Sequence, residues 1–168
     1  FALALSGDLP QSRVLAQHLG REFPEDTSVQ FMYLPTLRAL FALHSNDAPA
    51  AVQALKTVSR YDLALGGVGF IGRFGGLYPV YVRGVAYLAA RQPAEAAAEF
   101  QRILDHRSIV LVDPMGAMAR LQLARALVLS GDTAKAKSAY TDLLALWKDA
   151  DPRIPIVNEA RTEFAKLQ

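Results

Sequence analysis

Residues 113–147, DPMGAMARLQLARALVLSGDTAKAKSAYTDLLALW, decide the fold. They read as two helices joined by one tight turn. Asp113 is a helix-capping type, and Pro114 falls in the first turn, where a missing N–H costs little. Leu123, Ala124 and Leu127 then recur on one face at helical spacing. Gly131 can adopt the left-handed conformation that ends a helix, and Asp132 caps the next. On the second helix Ala136, Tyr140 and Leu144 stack at i, i+4 and i+8, with Leu143 and Trp147 beside them. A hairpin of this size cannot bury its apolar stripe alone, so it needs neighbours of its own kind.

The rest of the chain supplies them. Turns analogous to Gly131 fall at Gly7, Asn46 and Arg91, giving spacings of 39, 45 and 40. Five positions after each turn stands a small residue: Ser12, Ala51, Ala96 and Ala136. Four further on come Ala16, Leu55, Phe100 and Tyr140, the first being the weakest match. Small residues are needed where helices approach closely, and the bulkier ones fill the hole in the facing pair.

Between these landmarks the pattern is helical. FALALSGD reads as the tail of a helix cut through, so a fragment of a longer protein is expected. Asp8 caps a helix from about residue 10 to 23, with Leu15, Leu19 and Phe23 on one side and Pro24 as its stop. A helix over about 27–43 contains Pro35, where a bend is expected. Asn46-Asp47 turns the chain into a helix over 48–60 carrying Ala51, Leu55 and Val58. Helices over 78–90, 93–106 and 156–167 follow, with 107–112 expected as a loop. The last helix places Ile156, Ala160, Phe164 and Leu167 on one face and reads as a terminal cap.

Six of the 11 glycines crowd into residues 61–77, YDLALGGVGFIGRFGGL. Gly67, Gly69 and Gly72 fit G-x-G-x-x-G. The dinucleotide fingerprint, however, follows a strand and opens a helix within a βαβ unit, and no such unit is available here. An inter-repeat connection is the expected reading.

Composition narrows the function. The 168 residues suit one domain or a short array; 52% are hydrophobic and 20% charged, which excludes a disordered segment. A net charge of +2 sets up no strong field toward nucleic acid or an anionic membrane. No apolar run approaches the ~20 residues of a membrane span. The absence of cysteine removes thiolate chemistry and disulfides and leaves the compartment open.

The repeat resembles the tetratricopeptide repeat, whose unit is about 34 residues. Gly84 and Tyr87 match that family's small-then-tyrosine pair, and Ala96 with Phe100 its small-then-aromatic pair. Ala124, Ala136 and Tyr140 match again in the last unit, where Leu127 replaces the tyrosine. The phrases FPEDTSVQFMYLPTLRA (23–39), LYPVYVRGVAYLAARQ (77–92), AAAEFQRILDHRSIVLVDPMGA (96–117) and LALWKDADPRIPIVNEARTEFAKLQ (144–168) resemble the C-terminal repeat region of bacterial eukaryotic-type serine/threonine kinases. Related repeat regions also follow winged-helix DNA-binding domains in bacterial regulators. The resemblance implies that catalysis or DNA binding belongs to a separate N-terminal part, since no Gly-rich loop with a strand lysine, no HRD and no DFG is present.

The expected fold is all-α: a right-handed solenoid of hairpins forming a single array over 1–168. Its units are about 1–24, 27–60, 78–106 and 113–149, with a capping helix at 155–168. No enzyme activity is expected, because no G-x-S-x-G elbow exists and a helical solenoid offers no strand-to-helix corner for one. His18, His44 and His106 sit late on three different helices without metal-ligand spacing, so neither a metal nor a cofactor is expected. His44 and His106 suit contacts with helix-end carbonyls.

The candidate binding surface is the concave wall formed by the first helices of successive units. Helical phase places Tyr33, Thr36 and Leu40 there, then Tyr78, Tyr81 and Val85, then Met118, Leu121 and Arg125. Tyrosine, methionine and arginine are frequent binding anchors, although a stripe like this equally describes packed interior. The expected function is a non-catalytic scaffold in a bacterial signalling protein that recognises a protein or peptide segment. Other domains of the same parent chain and self-association are further partner options; nucleic acid and direct membrane contact are not expected. The alternative is a small-molecule sensor that closes glycine-rich residues 66–76 over its ligand. The default location is the cytoplasm, or outside it if a membrane span precedes this region in the full protein.

Overall fold

The computed structural model describes residues 1–63, 75–110, 113–151 and 153–168. Every regular element among them is helical, and none is a strand. In order these are α1 (Ala2–Ser6), α2 (Leu9–Glu22), α3 (Leu34–His44), α4 (Ala48–Leu55), α5 (Tyr78–Ala89), α6 (Pro93–Asp105), α7 (Arg107–Val110), α8 (Met115–Leu129), α9 (Thr133–Leu146) and α10 (Pro155–Ala165). A π-helical turn, Val29–Tyr33, leads into α3, and 3-10 turns occupy Val58–Tyr61 and Gly75–Leu77. No helix of the described residues is long and apolar enough to cross a membrane.

The aligned turns share one conformation. Gly7, Asn46, Arg91 and Gly131 have φ of 91°, 57°, 59° and 79°. This left-handed residue lets the closing N–H groups fold back onto the preceding helix end. Asp8 N bonds Leu3 O, Asp47 N bonds Ala42 O and Asp132 N bonds Leu127 O, at 2.9, 2.9 and 3.0 Å. These are the six-to-one bonds of the Schellman motif. The same three aspartates then cap the following helices, accepting from the amides of Gln11, Ala50 and Lys135. Gln92 takes that place ahead of α6 without a side-chain cap.

Beneath the turns the small-and-large ladder is interior throughout. Ser12, Ala51, Ala96 and Ala136 are buried, and so are Ala16, Leu55, Phe100 and Tyr140. On α2 Ser12 and Ala16 are the buried residues. The apolar side of this helix lies largely outside, with Leu15 54% and Phe23 44% exposed. Residues 15 and 16 differ by about 100° around a helix, so burying Ala16 turns the Leu15 line away.

Pro35 is accommodated upstream of itself. Its absent N–H would leave a carbonyl of the preceding turn unpaired. The turn before it is wound wider, with Leu34 N bonding Val29 O five residues back. Thr36 Oγ1 donates to Met32 O at 2.6 Å, meeting a second carbonyl. Two further boundaries differ from expectation. Residues 107–110, expected as loop, form the helical turn α7, and α8 begins at Met115 with Pro114 at its cap. The Asp113 carboxylate still takes the Met115 amide at 2.8 Å.

Contacts divide the chain into two compact units, Phe1–Arg91 and Gln92–Gln168, a division that falls within the expected 78–106 repeat. In the first unit α3 packs on α4, and both pack against α5. Asp62 and Arg83 form a buried two-pronged ion pair there, at 2.5 and 3.2 Å, joining the end of the Val58–Tyr61 turn to α5. In the second unit α8 lies against α6 and α9, and α10 closes over α8 and α9. Leu121, Ala124, Tyr140, Leu143 and Ala160 form its core, with Ile156, Phe164 and Leu167 packed onto it.

A polar clamp reinforces that closure. Arg125 on α8 grips Glu163 of α10 through Nε and Nη2, and also reaches Glu159 at 2.6 Å. The Tyr140 hydroxyl donates to Glu163 Oε2 at 2.7 Å. Burial alone would raise the Glu163 carboxyl. The hydrogen bonds from Arg125 and Tyr140, with the Arg125 charge, outweigh it and hold the group below its ordinary value. Burial and the Glu163 carboxylate raise the Tyr140 phenol, so it stays a donor.

Two stability outcomes follow. Asp62→Ala or Arg83→Ala breaks a buried ion pair and destabilises the first unit by about 3–5 kcal/mol in denaturant titration, whereas the double change Asp62→Leu/Arg83→Met loses less than either. For the second unit, a depressed Glu163 pKa means its stabilisation is complete above the ordinary value of 4.5 and disappears as pH falls through the folded value. Unfolding followed by the lone Trp147 is therefore expected to show stability falling in acid below 4.5, with Glu163→Gln less stable at neutral pH and flatter across that range.

Candidate binding groove

The nine residues expected on a binding wall divide by accessibility. Thr36, Leu40, Tyr81 and Leu121 are buried, at 0, 5, 5 and 3% exposure, and serve as interior. Tyr33, Tyr78, Val85, Met118 and Arg125 keep partial exposure. Met118, Leu121 and Arg125 belong to the second unit, and Arg125 is occupied by the α10 clamp. Its partners Glu159 and Glu163 sit on the last helix at i and i+4, a spacing visible in the sequence but read there as solvated surface.

Tyr33 and Tyr78 do come together, in the first unit. The Phe1 ring lies between them, stacked on Tyr78 with centroids 5.1 Å apart and edge-on to Tyr33 at 6.0 Å. This aromatic group forms one wall of an open groove of about 570 Å³. Leu15 and Leu19 of α2 line it as well, with the buried Ala16 and Leu37. His18 and Glu22 stand at its polar edge, paired at 3.1 Å. The π turn matters here, because its last residue is Tyr33. Phe1, Leu15, Leu19 and Leu37 were not among the expected site residues. The signal for two of them was the apolar line 15–19–23 on one side of α2, which the choice of first helices as the binding wall left out.

The other two histidines bind carbonyls. His44 Nε2 meets Ala4 O, in the last turn of α1, at 2.8 Å, and His106 Nδ1 meets Arg102 O at 2.7 Å. Among the described residues no group of three or more His, Asp or Glu side chains is placed to hold a metal ion. The G-x-G-x-x-G stretch, residues 67–72, lies outside the described residues, as does most of 66–76. What borders it is held: Leu63 N bonds Gly76 O at 3.3 Å.

The second unit carries more polar cavities. One of about 530 Å³ is lined by α6, α8 and α9 and includes Asp105, Arg120, Lys135 and Asp142. Another, of about 890 Å³, runs past Asp113 to Trp147. Asp113 is buried, its Oδ2 without a hydrogen-bond partner among the described residues, and burial pushes its carboxyl up against the lowering effect of the Met115 amide. The groove of the first unit is the less polar one; the exposed Leu15 lines it, as the exposed Leu146 lines the larger cavity of the second unit.

No protein-family model matches this chain, and neither does any curated protein or solved structure.

Proposed function

We propose that this chain is a non-catalytic interaction module of the tetratricopeptide kind, part of a larger bacterial signalling protein of the serine/threonine kinase type. Its first unit receives an apolar segment of a protein partner in the groove between α2 and the Phe1–Tyr33–Tyr78 group. The observation that carries this reading is the groove itself, lined by rigid aromatic side chains and by an exposed leucine. Aromatic anchors lose little conformational entropy on binding.

A right-handed solenoid is the architecture we assign to the module. The recurrent left-handed turns, the aspartate caps and the buried small-and-large ladder support it. So does the packing order, in which the second helix of one hairpin meets the first of the next: α4 on α5, and α6 on α8.

Val14 on α2 is 65% exposed, Phe23 at its end 44%, and Phe31 50%, so apolar surface is also exposed in the first unit outside the groove. The groove volume is the observation favouring the second reading, a small-molecule sensor, because pockets for drug-sized ligands span about 300–1,000 Å³.

Leu15→Glu separates binding from folding, since Leu15 is exposed and substitutions at such sites usually shift stability by no more than about 0.5 kcal/mol. Peptide binding measured by fluorescence anisotropy is expected to weaken at least about tenfold, or 1.4 kcal/mol, with an unchanged melting temperature. Tight binding of a hydrophobic metabolite with no peptide binding would overturn the interaction reading in favour of the sensor.

A further inference from the structure

Asp8, Asp47, Asp132 and Asp113 each accept a hydrogen bond from an amide at the start of a helix. Asp8 and Asp47 are exposed and Asp132 is partly so, whereas Asp113 is only 6% exposed. Its Oδ1 takes the Met115 amide at 2.8 Å. Its Oδ2 is closed to solvent and has no hydrogen-bond partner among the described residues. An ionised carboxylate spreads its charge over both oxygens and needs donors or water at each. Native proteins leave few buried polar atoms in that state.

Two influences oppose each other at this carboxyl. The N-terminus of α8, a helix of 15 residues, favours a negative charge, and so does the Met115 amide. Burial favours the neutral acid. Burial is the larger and holds Asp113 above its ordinary value of 3.8, while the hydrogen bonds from Lys135 hold Asp132 below the same value. Asp113 lines the cavity of about 890 Å³, where the other charged groups are Arg120 of α8 itself and Asp142 of α9; α6 supplies Leu104 and α7 supplies Val110. Neither of those charges contributes to the shift. The corner around Asp113 is tight. Val110 O accepts the Asp113 amide at 2.8 Å, and Val110 Cγ1 fills the place that a Cβ on Gly116 would need.

We propose that Asp113 is a proton-binding group that makes the start of α8 pH-sensitive, packed tight while the carboxyl is neutral and opened to water as it ionises. An unpaired O–H is the smaller of the two desolvation costs, because a buried charge costs far more than a buried hydroxyl. Folding of the second unit then takes up a proton at this residue. By linkage, the cost of burying Asp113 is absent below the ordinary 3.8 and develops as pH rises through the higher folded value. Glu163, held below its ordinary value, acts in the opposite direction, so these two acids pull the stability of the second unit opposite ways with pH.

The test is a carboxyl carbon-13 NMR titration of the purified chain, with Asp113 assigned by its loss in Asp113→Asn, beside denaturant unfolding followed by Trp147. The Asp113 resonance is expected to titrate with a midpoint above 3.8. Protection of the Met115 and Gly116 amides from hydrogen exchange, which rests on bonds to Asp113, should fall through the same midpoint. Asparagine keeps the acceptor for Met115 and cannot ionise. Asp113→Asn should therefore hold that protection flat and gain stability relative to the parent as pH rises. Glu163 is present in both proteins, so the difference isolates Asp113. A midpoint at or below 3.8 would overturn the proposal, and Asp113 would then be an ionised cap like Asp132. A stability difference that is constant with pH or moves the other way would overturn it too, as would amide protection that ignores the titration.

Discussion

Close approach of helices at four small residues governs this molecule. Ser12, Ala51, Ala96 and Ala136 each lie five positions past a left-handed turn, and all are buried. A larger side chain at any of them would hold the second helix of its hairpin away from its neighbours. The residue one turn later would then lose its hole: Leu55, Phe100 and Tyr140 are among the most completely enclosed side chains of the fold. Turn, cap, small residue and large residue thus act as one device used repeatedly. Stability is gained where hairpins share faces, because dispersion and hydrophobic burial require the filled hole, not the isolated helix.

Much of this device was readable before any coordinates. Gly131-Asp132 announces a helix end and a new start through backbone freedom and a side-chain acceptor, and both are local chemistry. Asn46-Asp47 and Arg91-Gln92-Pro93 read as turns without glycine, and Asn46 and Arg91 adopt the same φ region. Helix boundaries near proline were less legible. Pro35 signals trouble, but the widened turn sits at Val29–Tyr33, because relief comes from the residues whose carbonyls proline cannot serve.

The candidate groove was legible only in part, for a geometric reason. Helical phase says which residues share a stripe, not which stripe meets the neighbouring helix. On α3 the stripe through Thr36 and Leu40 points inward, while Tyr33, displaced by the π turn, reaches the groove. On α2 the larger side chains at 15, 19 and 23 share one side, and the buried places go to the ladder residues Ser12 and Ala16. A small residue in a repeat position outranks a bigger apolar one because it permits the approach that buries everything else. The Arg125–Glu163–Tyr140 clamp escaped notice because its members come from three helices and only tertiary closure unites them.

The π-helical turn at Val29–Tyr33 also marks where this chain would tolerate a change of length least. A wide turn carries one residue more than an α-helix spans over the same rise. Deleting any one of the five would let regular winding resume, and everything on one side of it would rotate by about 100° relative to the other. Gln30 would swing off the carbonyls of Gly20 and Phe23, freeing the end of α2 from its anchor. A chain with an uninterrupted α-helix at this point would accordingly present a different side chain where Tyr33 now stands.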